Sequence, residues 1–154
     1  MAKPIDHVDQ LATVQTRVWL QEHEWLHEIF RSSRNTAPRF RLSDLLSACI
    51  SIALASREAE RQLVAYLDEQ LTLRDPRTQR RTCNVFKVQF DQLLNAHRAS
   101  WNREPHPMFD LDHVATACVA VVHLQDDAIN KVLAQARANF IERSPVDGRR
   151  VLSS

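Results

Sequence analysis

The sequence predicts a mainly α-helical fold in which two copies of one unit, each a short strand followed by helices, share a core. Three observations carry this expectation. The chain matches itself when displaced by 69 positions, each half opens on a run of alternating apolar and polar residues, and each half holds a capped helix too apolar to face water. Its 154 residues suffice for one ordinary domain or two very small ones, and 44% apolar with 25% charged residues is a globular balance. The single glycine, Gly148, excludes a dinucleotide fingerprint and a phosphate-cradling P-loop, each of which needs several.

The repeat comes first because it fixes the domain organisation. RFRLSDLLSACIS superposes on MFDLDHVATACVA, matching Pro38 to Pro107, Phe40 to Phe109, Leu42 to Leu111, Ala48 to Ala117 and Cys49 to Cys118. The match continues through Ala59 and Ala128, Ala65 and Ala134, Arg74 and Arg143, and Pro76 and Pro145, and reaches Arg80-Arg81 and Arg149-Arg150. Upstream the offset falls to 67 or 68, as an insertion in a loop would produce, and TRVWLQ then lies over NVFKVQ. The division is an N-terminal extension (1–15), unit 1 (16–76), a basic linker (77–83), unit 2 (84–145) and a tail (146–154).

Each unit is expected to open on a strand. Val18 and Leu20 alternate with Arg17, Trp19 and Gln21, and Phe86 and Val88 with Val85, Lys87 and Gln89, the period-2 pattern of a half-buried strand. A helix follows over Glu22 to Ser33, with Trp25, Leu26, Ile29 and Phe30 at helical spacing; its counterpart starts at an Asp91 cap and carries Leu93 and Leu94. Next, Ser43 and Asp112 are N-cap candidates for nearly all-apolar helices, Leu45 to Ala55 and Val114 to Leu124. A third, amphipathic helix places Leu63, Val64, Leu67 and Leu71 where unit 2 has Val132, Leu133, Ala136 and Phe140. A lone strand with unpaired edges beside an apolar helix cannot close its own core, so each unit needs the other.

This order resembles the ribbon-helix-helix (MetJ/Arc-type) DNA-binding superfamily, whose subunits pair their strands into one antiparallel ribbon. With both units in one chain it is similar to the tandem form of T-DNA border-binding virulence proteins of tumour-inducing plasmids. The resemblance implies a tandem ribbon-helix-helix pseudo-dimer, with an extra helix per unit, that reads the major groove of double-stranded DNA. Base-contacting residues would be Arg17, Trp19 and Gln21 from one strand and Val85, Lys87 and Gln89 from the other. The resemblance also implies a phosphate grip at the N-terminus of the second helix, where Ser43 stands with Arg39 and Arg41. In unit 2, Asp110, Asp112 and His113 replace those bases. Arg77, Arg80 and Arg81 of the linker are candidates for further phosphate contacts. By the same resemblance the setting is bacterial plasmid or mobile-element transfer (conjugation) or transcription regulation, with other transfer or partition proteins as further partners.

Charge and cysteine usage bound the rest. The formal net charge is +1; residues 1–76 carry 9 basic and 11 acidic side chains and residues 77–154 carry 11 and 8. Seventeen of the 20 bases are Arg, the side chain suited to forked contacts with phosphate and guanine. The N-terminus has no secretory apolar core, and the stretch Leu45 to Ala55 is broken by serines, so the expectation is a cytoplasmic protein away from membranes; the pseudo-dimer that the resemblance implies would be monomeric. Three cysteines without a CxxC fit reduced thiols, with Cys49 and Cys118 buried and Cys83 more exposed. Two other readings compete. His23-Glu24-Trp25-Leu26-His27 is a formal HExxH, in which His23 and His27 would hold zinc for a hydrolase, yet its counterpart, Asp91 to Asn95, holds no histidine. Alternatively, the third helices would make the protein a helical adaptor. The reading preferred from sequence is a DNA-binding protein that is not an enzyme and uses no cofactor or metal.

Overall fold

In the computed structural model, which describes residues 12–103 and 108–143, the chain runs through the same order of elements twice. Strand β1 (Thr13–Trp19) leads into helices α1 (Leu20–Phe30), α2 (Leu42–Ala55) and α3 (Ala59–Glu69). Strand β2 (Arg80–Phe86) then leads into α4 (Lys87–His97), α5 (Leu111–His123) and α6 (Ala128–Arg143), with short 3₁₀ turns at Leu71–Leu73 and Ser100–Asn102. Strands and first helices recur after 67 positions, from 13 to 80 and from 20 to 87, and the later helices after 69, from 42 to 111 and from 59 to 128. The tail with Arg149-Arg150, the first 11 residues, His106, Pro107 and Pro145 lie outside the described residues.

The two strands form one antiparallel ladder, running from Thr13 opposite Phe86 to Trp19 opposite Arg80. Its middle pair is Thr16 and Cys83, themselves 67 positions apart, so each end of the ladder has a counterpart at the other. Val14, Thr16, Val18, Cys83 and Val85 face the helices, and Val18 and Val85 are fully buried. The helices close this face crosswise. α2 packs on β2 and α6, α5 packs on β1 and α3, and α2 and α5 pack on each other. One core therefore runs through both halves, joining Leu26, Leu45 and Ile50 to Leu93, Val114 and Val119.

Two devices hold this arrangement. Where the ladder ends, the N–H of Trp19 donates to Thr116 Oγ1 and that of Phe86 to Ser47 Oγ, both at 3.0 Å. Ser47 and Thr116 are fully buried on the apolar helices, and each satisfies a backbone N–H at an end of the ladder, buried at Trp19 and part-buried at Phe86. Before each apolar helix, a buried asparagine clamps the loop. Asn35 bonds the backbone of Phe30 and Phe40, and Asn102 bonds that of His97 and Phe109. The first clamp spans five residues and the second seven, which places the two-residue insertion between Asn102 and Phe109.

The structure corrects several expectations. The strands begin earlier than 16 and 84 and so occupy part of the expected extension and linker, while Leu20-Gln21 and Lys87-Val88-Gln89 belong to first helical turns. Alternation over so few residues fits a helix start as well as a strand, and the helix wins because Leu20 and Lys87 already stand beyond the end of the ladder. Asp91 is interior to α4. The N-caps are Arg41 and Asp110 rather than Ser43 and Asp112, which sit one residue inside the first helical position. In place of a side-chain cap, Asp44 Oδ2 accepts the Arg41 N–H at 2.9 Å and His113 Nδ1 that of Asp110 at 3.0 Å. Cys83 is buried beneath the ribbon. Burial pushes its thiol and that of Cys118 up to about 12 and raises Cys49 further, so all three are inert thiols.

Candidate functional site

The ribbon's outer face is the surface the helices leave uncovered. It carries Thr13, Gln15 and Arg17 from β1 and Thr82 and Asn84 from β2, all exposed, with Gln15 opposite Asn84 and Arg17 opposite Thr82. Gln15, Arg17, Thr82 and Asn84 all carry hydrogen-bonding groups, and none of these side chains is bonded to another among the described residues. Exposed Arg81 is not on this face: near the start of β2 it stands opposite Val18, on the side of the ribbon turned to the helices, where its charge acts on His23.

Of the six residues expected to meet bases, this face holds Arg17. Trp19 is 2% exposed: its Nε1 donates to Asp112 Oδ2 at 3.2 Å, and the Arg80 guanidinium lies 4.0 Å from its ring centroid. Val85 faces the core opposite Val14. Gln21 is exposed on α1, Lys87 opens α4 and pairs with Asp91 at 3.3 Å, and Gln89 is buried on α4. The residues missed are Thr13, Gln15, Thr82 and Asn84. Aligning the halves by 67 rather than 68 would have found them, because it sets Val18 on Val85 and Trp19 on Phe86.

Unlike groups flank the two ends of the ribbon. Arg39 and Arg41 stand exposed at the start of α2; the Arg39 guanidinium lies 4.4 Å from the centroid of the Phe30 ring, and Ser43 is half-buried in the first turn. At the start of α5 are Asp110 and Asp112, which with Gln15, Arg17 and Thr82 line a shallow groove of about 440 Å³. Of the linker bases, Arg77 is exposed and pairs with Asp75 at 3.4 Å. Arg80 is committed internally. Its Nε donates to Asp112 Oδ2 at 3.1 Å, and its Nη1 to the carbonyl of Pro76 at 2.7 Å and to that of Thr78. Burial alone would raise the Asp112 pKa, but the Arg80 hydrogen bond, neighbouring His113 and the Trp19 N–H together hold it below the usual carboxylate range.

Asp110, Asp112 and His113 bring ligand atoms within 4.8 Å of one another, the spacing of a metal site. Asp112 Oδ2 serves Arg80 and Trp19, and His113 Nδ1 accepts the Asp110 backbone N–H, so two of these ligand atoms already have partners within the chain. On α1 the His23 and His27 rings lie 4.9 Å apart, with His23 nearly buried and its pKa lowered, chiefly by that burial. Among the described residues no third His, Cys, Asp or Glu joins them as a ligand group. No helix among the described residues is long and apolar enough to cross a membrane. No family model, curated protein or solved structure matches the chain.

Proposed function

We propose that this protein is a single-chain, tandem ribbon-helix-helix pseudo-dimer that binds double-stranded DNA by laying the outer face of its two-stranded ribbon in the major groove. The observation that carries the reading is that face itself, where Gln15, Arg17, Thr82 and Asn84 stand exposed on paired antiparallel strands, their side chains without a hydrogen-bond partner among the described residues. A two-stranded ribbon fits the width of the major groove, an arginine suits guanine, and the amides suit adenine. Exposed Arg39 and Arg41 at the start of α2 would meet the phosphates along one side. Because the two strands differ, the site they read is not a palindrome. The role is regulation of transcription or of DNA transfer, exercised through binding and without catalysis.

Selection from random duplexes tests this directly and is expected to yield an asymmetric consensus. Arg17→Ala should then weaken the selected site by about 1–3 kcal/mol and relax preference at one base pair while leaving the fold intact. Failure to enrich any duplex, or unchanged affinity in the variant, overturns the reading.

A further inference from the structure

The two halves fill corresponding spaces differently. In the first, Glu22 of α1 takes both nitrogens of the Arg74 guanidinium at 2.7 Å, Tyr66 of α3 bonds to both partners, and Trp25 stacks on His123 with ring centroids 4.3 Å apart. The positions 67 or 69 further on are Gln89 for Glu22, Gln92 for Trp25, Gln135 for Tyr66 and Arg143 for Arg74. Amides thus replace a carboxylate and two aromatic rings. A cavity of about 800 Å³ lies there, between α2, α4 and α6, and Gln89, Gln92, Gln135 and Arg143 all line it.

Arg143 makes the space chemically selective. It is 8% exposed; its guanidinium lies 3.6 Å from the Phe86 ring centroid, and Nη2 donates to Asp44 Oδ1 at 2.7 Å. Its Nη1 is buried with no hydrogen-bond partner among the described residues. A buried donor on a charged group, left without an acceptor, carries a desolvation penalty, which an anion entering the cavity relieves by displacing the atoms that cover Nη1. Leu54, Ala55 and Val88 give the cavity an apolar wall, and its volume is that of a small-molecule site.

We infer that this cavity binds a small planar molecule bearing a single carboxylate. The first half supplies the template: the ligand's carboxylate takes the place that Glu22 holds beside Arg74, and its ring takes the space that Trp25 and Tyr66 fill. Glu142, exposed at the rim, adds a negative charge that favours a monoanion over phosphate. The inference is independent of DNA binding.

The test is titration of the full chain with benzoate, 4-hydroxyphenylacetate and indole-3-acetate, followed by amide NMR and calorimetry. Indole-3-acetamide and inorganic phosphate serve as comparisons. At least one carboxylate is expected to saturate and to shift the side-chain amides of Gln92, Asn95, Gln135 and Asn139, with indole-3-acetamide at least tenfold weaker than indole-3-acetate and phosphate without effect. Removing Arg143 would also unseat Asp44 and Phe86, so the discriminating variant is Gln89→Glu, which gives the cavity the chain's own carboxylate. It should weaken carboxylate binding at least tenfold and raise the melting temperature. No saturation by any of the three carboxylates, equal binding of amide or phosphate, or undiminished binding to Gln89→Glu would overturn the inference.

Discussion

Arg74 and Arg143 occupy corresponding places at the far ends of the two halves, and the chain provides for them unequally. Arg74 meets a matched carboxylate that accepts both of its terminal nitrogens, with an aromatic hydroxyl completing the group. Arg143 meets Asp44 on one nitrogen and the Phe86 ring on its face, and its buried Nη1 has no partner among the described residues. The starts of the second helices show a similar contrast, with Arg39 and Arg41 on one side of the ribbon and Asp110 and Asp112 on the other. The lesson is that a shared backbone and core constrain these positions little. Four substitutions, Glu22 to Gln89, Trp25 to Gln92, Tyr66 to Gln135 and Arg41 to Asp110, change a filled, self-satisfied site into an open one and a basic flank into an acidic one.

The largest expected effect tests the arginine contrast. Glu22 is buried, with its side chain 7% exposed, and Glu22→Ala leaves Arg74 uncompensated. Breaking such a pair from one side costs about 3 kcal/mol, whereas Gln89→Ala at the corresponding position should cost about 1 kcal/mol. Urea midpoints of the two variants check this, and equal losses would break the comparison.

The flanks come next. Arg41→Ser is expected to weaken DNA binding uniformly across sequences and to lower the slope of log affinity against log salt by about 1. Asp110→Ser, which keeps a residue able to cap α5, should strengthen binding by about 0.5 kcal/mol without steepening that slope. Equal and opposite slope changes would show that both flanks meet phosphate.

The smallest effect concerns pH. Burial, reinforced by His27 and Arg81 and opposed by Glu24, lowers the pKa of His23, so the unfolded chain binds this proton more readily than the folded one. The resulting stability is fully present above about 6.5, the ordinary histidine value, and is lost as pH falls through the lowered folded value. The corresponding residue in the second half is Phe90, which does not titrate. His23→Phe should therefore flatten the decline in urea midpoint between pH 8 and pH 5, and an unchanged decline would place its origin elsewhere.

Much of the architecture was legible in the sequence. Cys49 and Cys118, Phe40 and Phe109, and the two apolar stretches announced the repeat, the buried helices and the need for two strands to pair, because burial on every side leaves an unmistakable composition. The strand register was not legible. The decisive residues, Trp19 and Phe86, differ in size and sit where strand passes into helix, and a one-residue slip reverses the face of every side chain. Trp19 reads as exposed by alternation, yet it is covered because Arg80 and Asp112, distant in sequence, converge on it. Nor did the cavity show itself, since an alignment by 68 sets Glu22 against Phe90 rather than Gln89 and hides the exchange of carboxylate for amide.

The meeting of Thr16 with Cys83 at the middle of the ladder joins two stretches of the same polypeptide. Strand pairing is thus a unimolecular event, and the tether keeps each strand at a fixed, high local concentration near the other. Dilution leaves this equilibrium where it was, whereas a ribbon shared by two separate subunits would come apart as the protein is thinned.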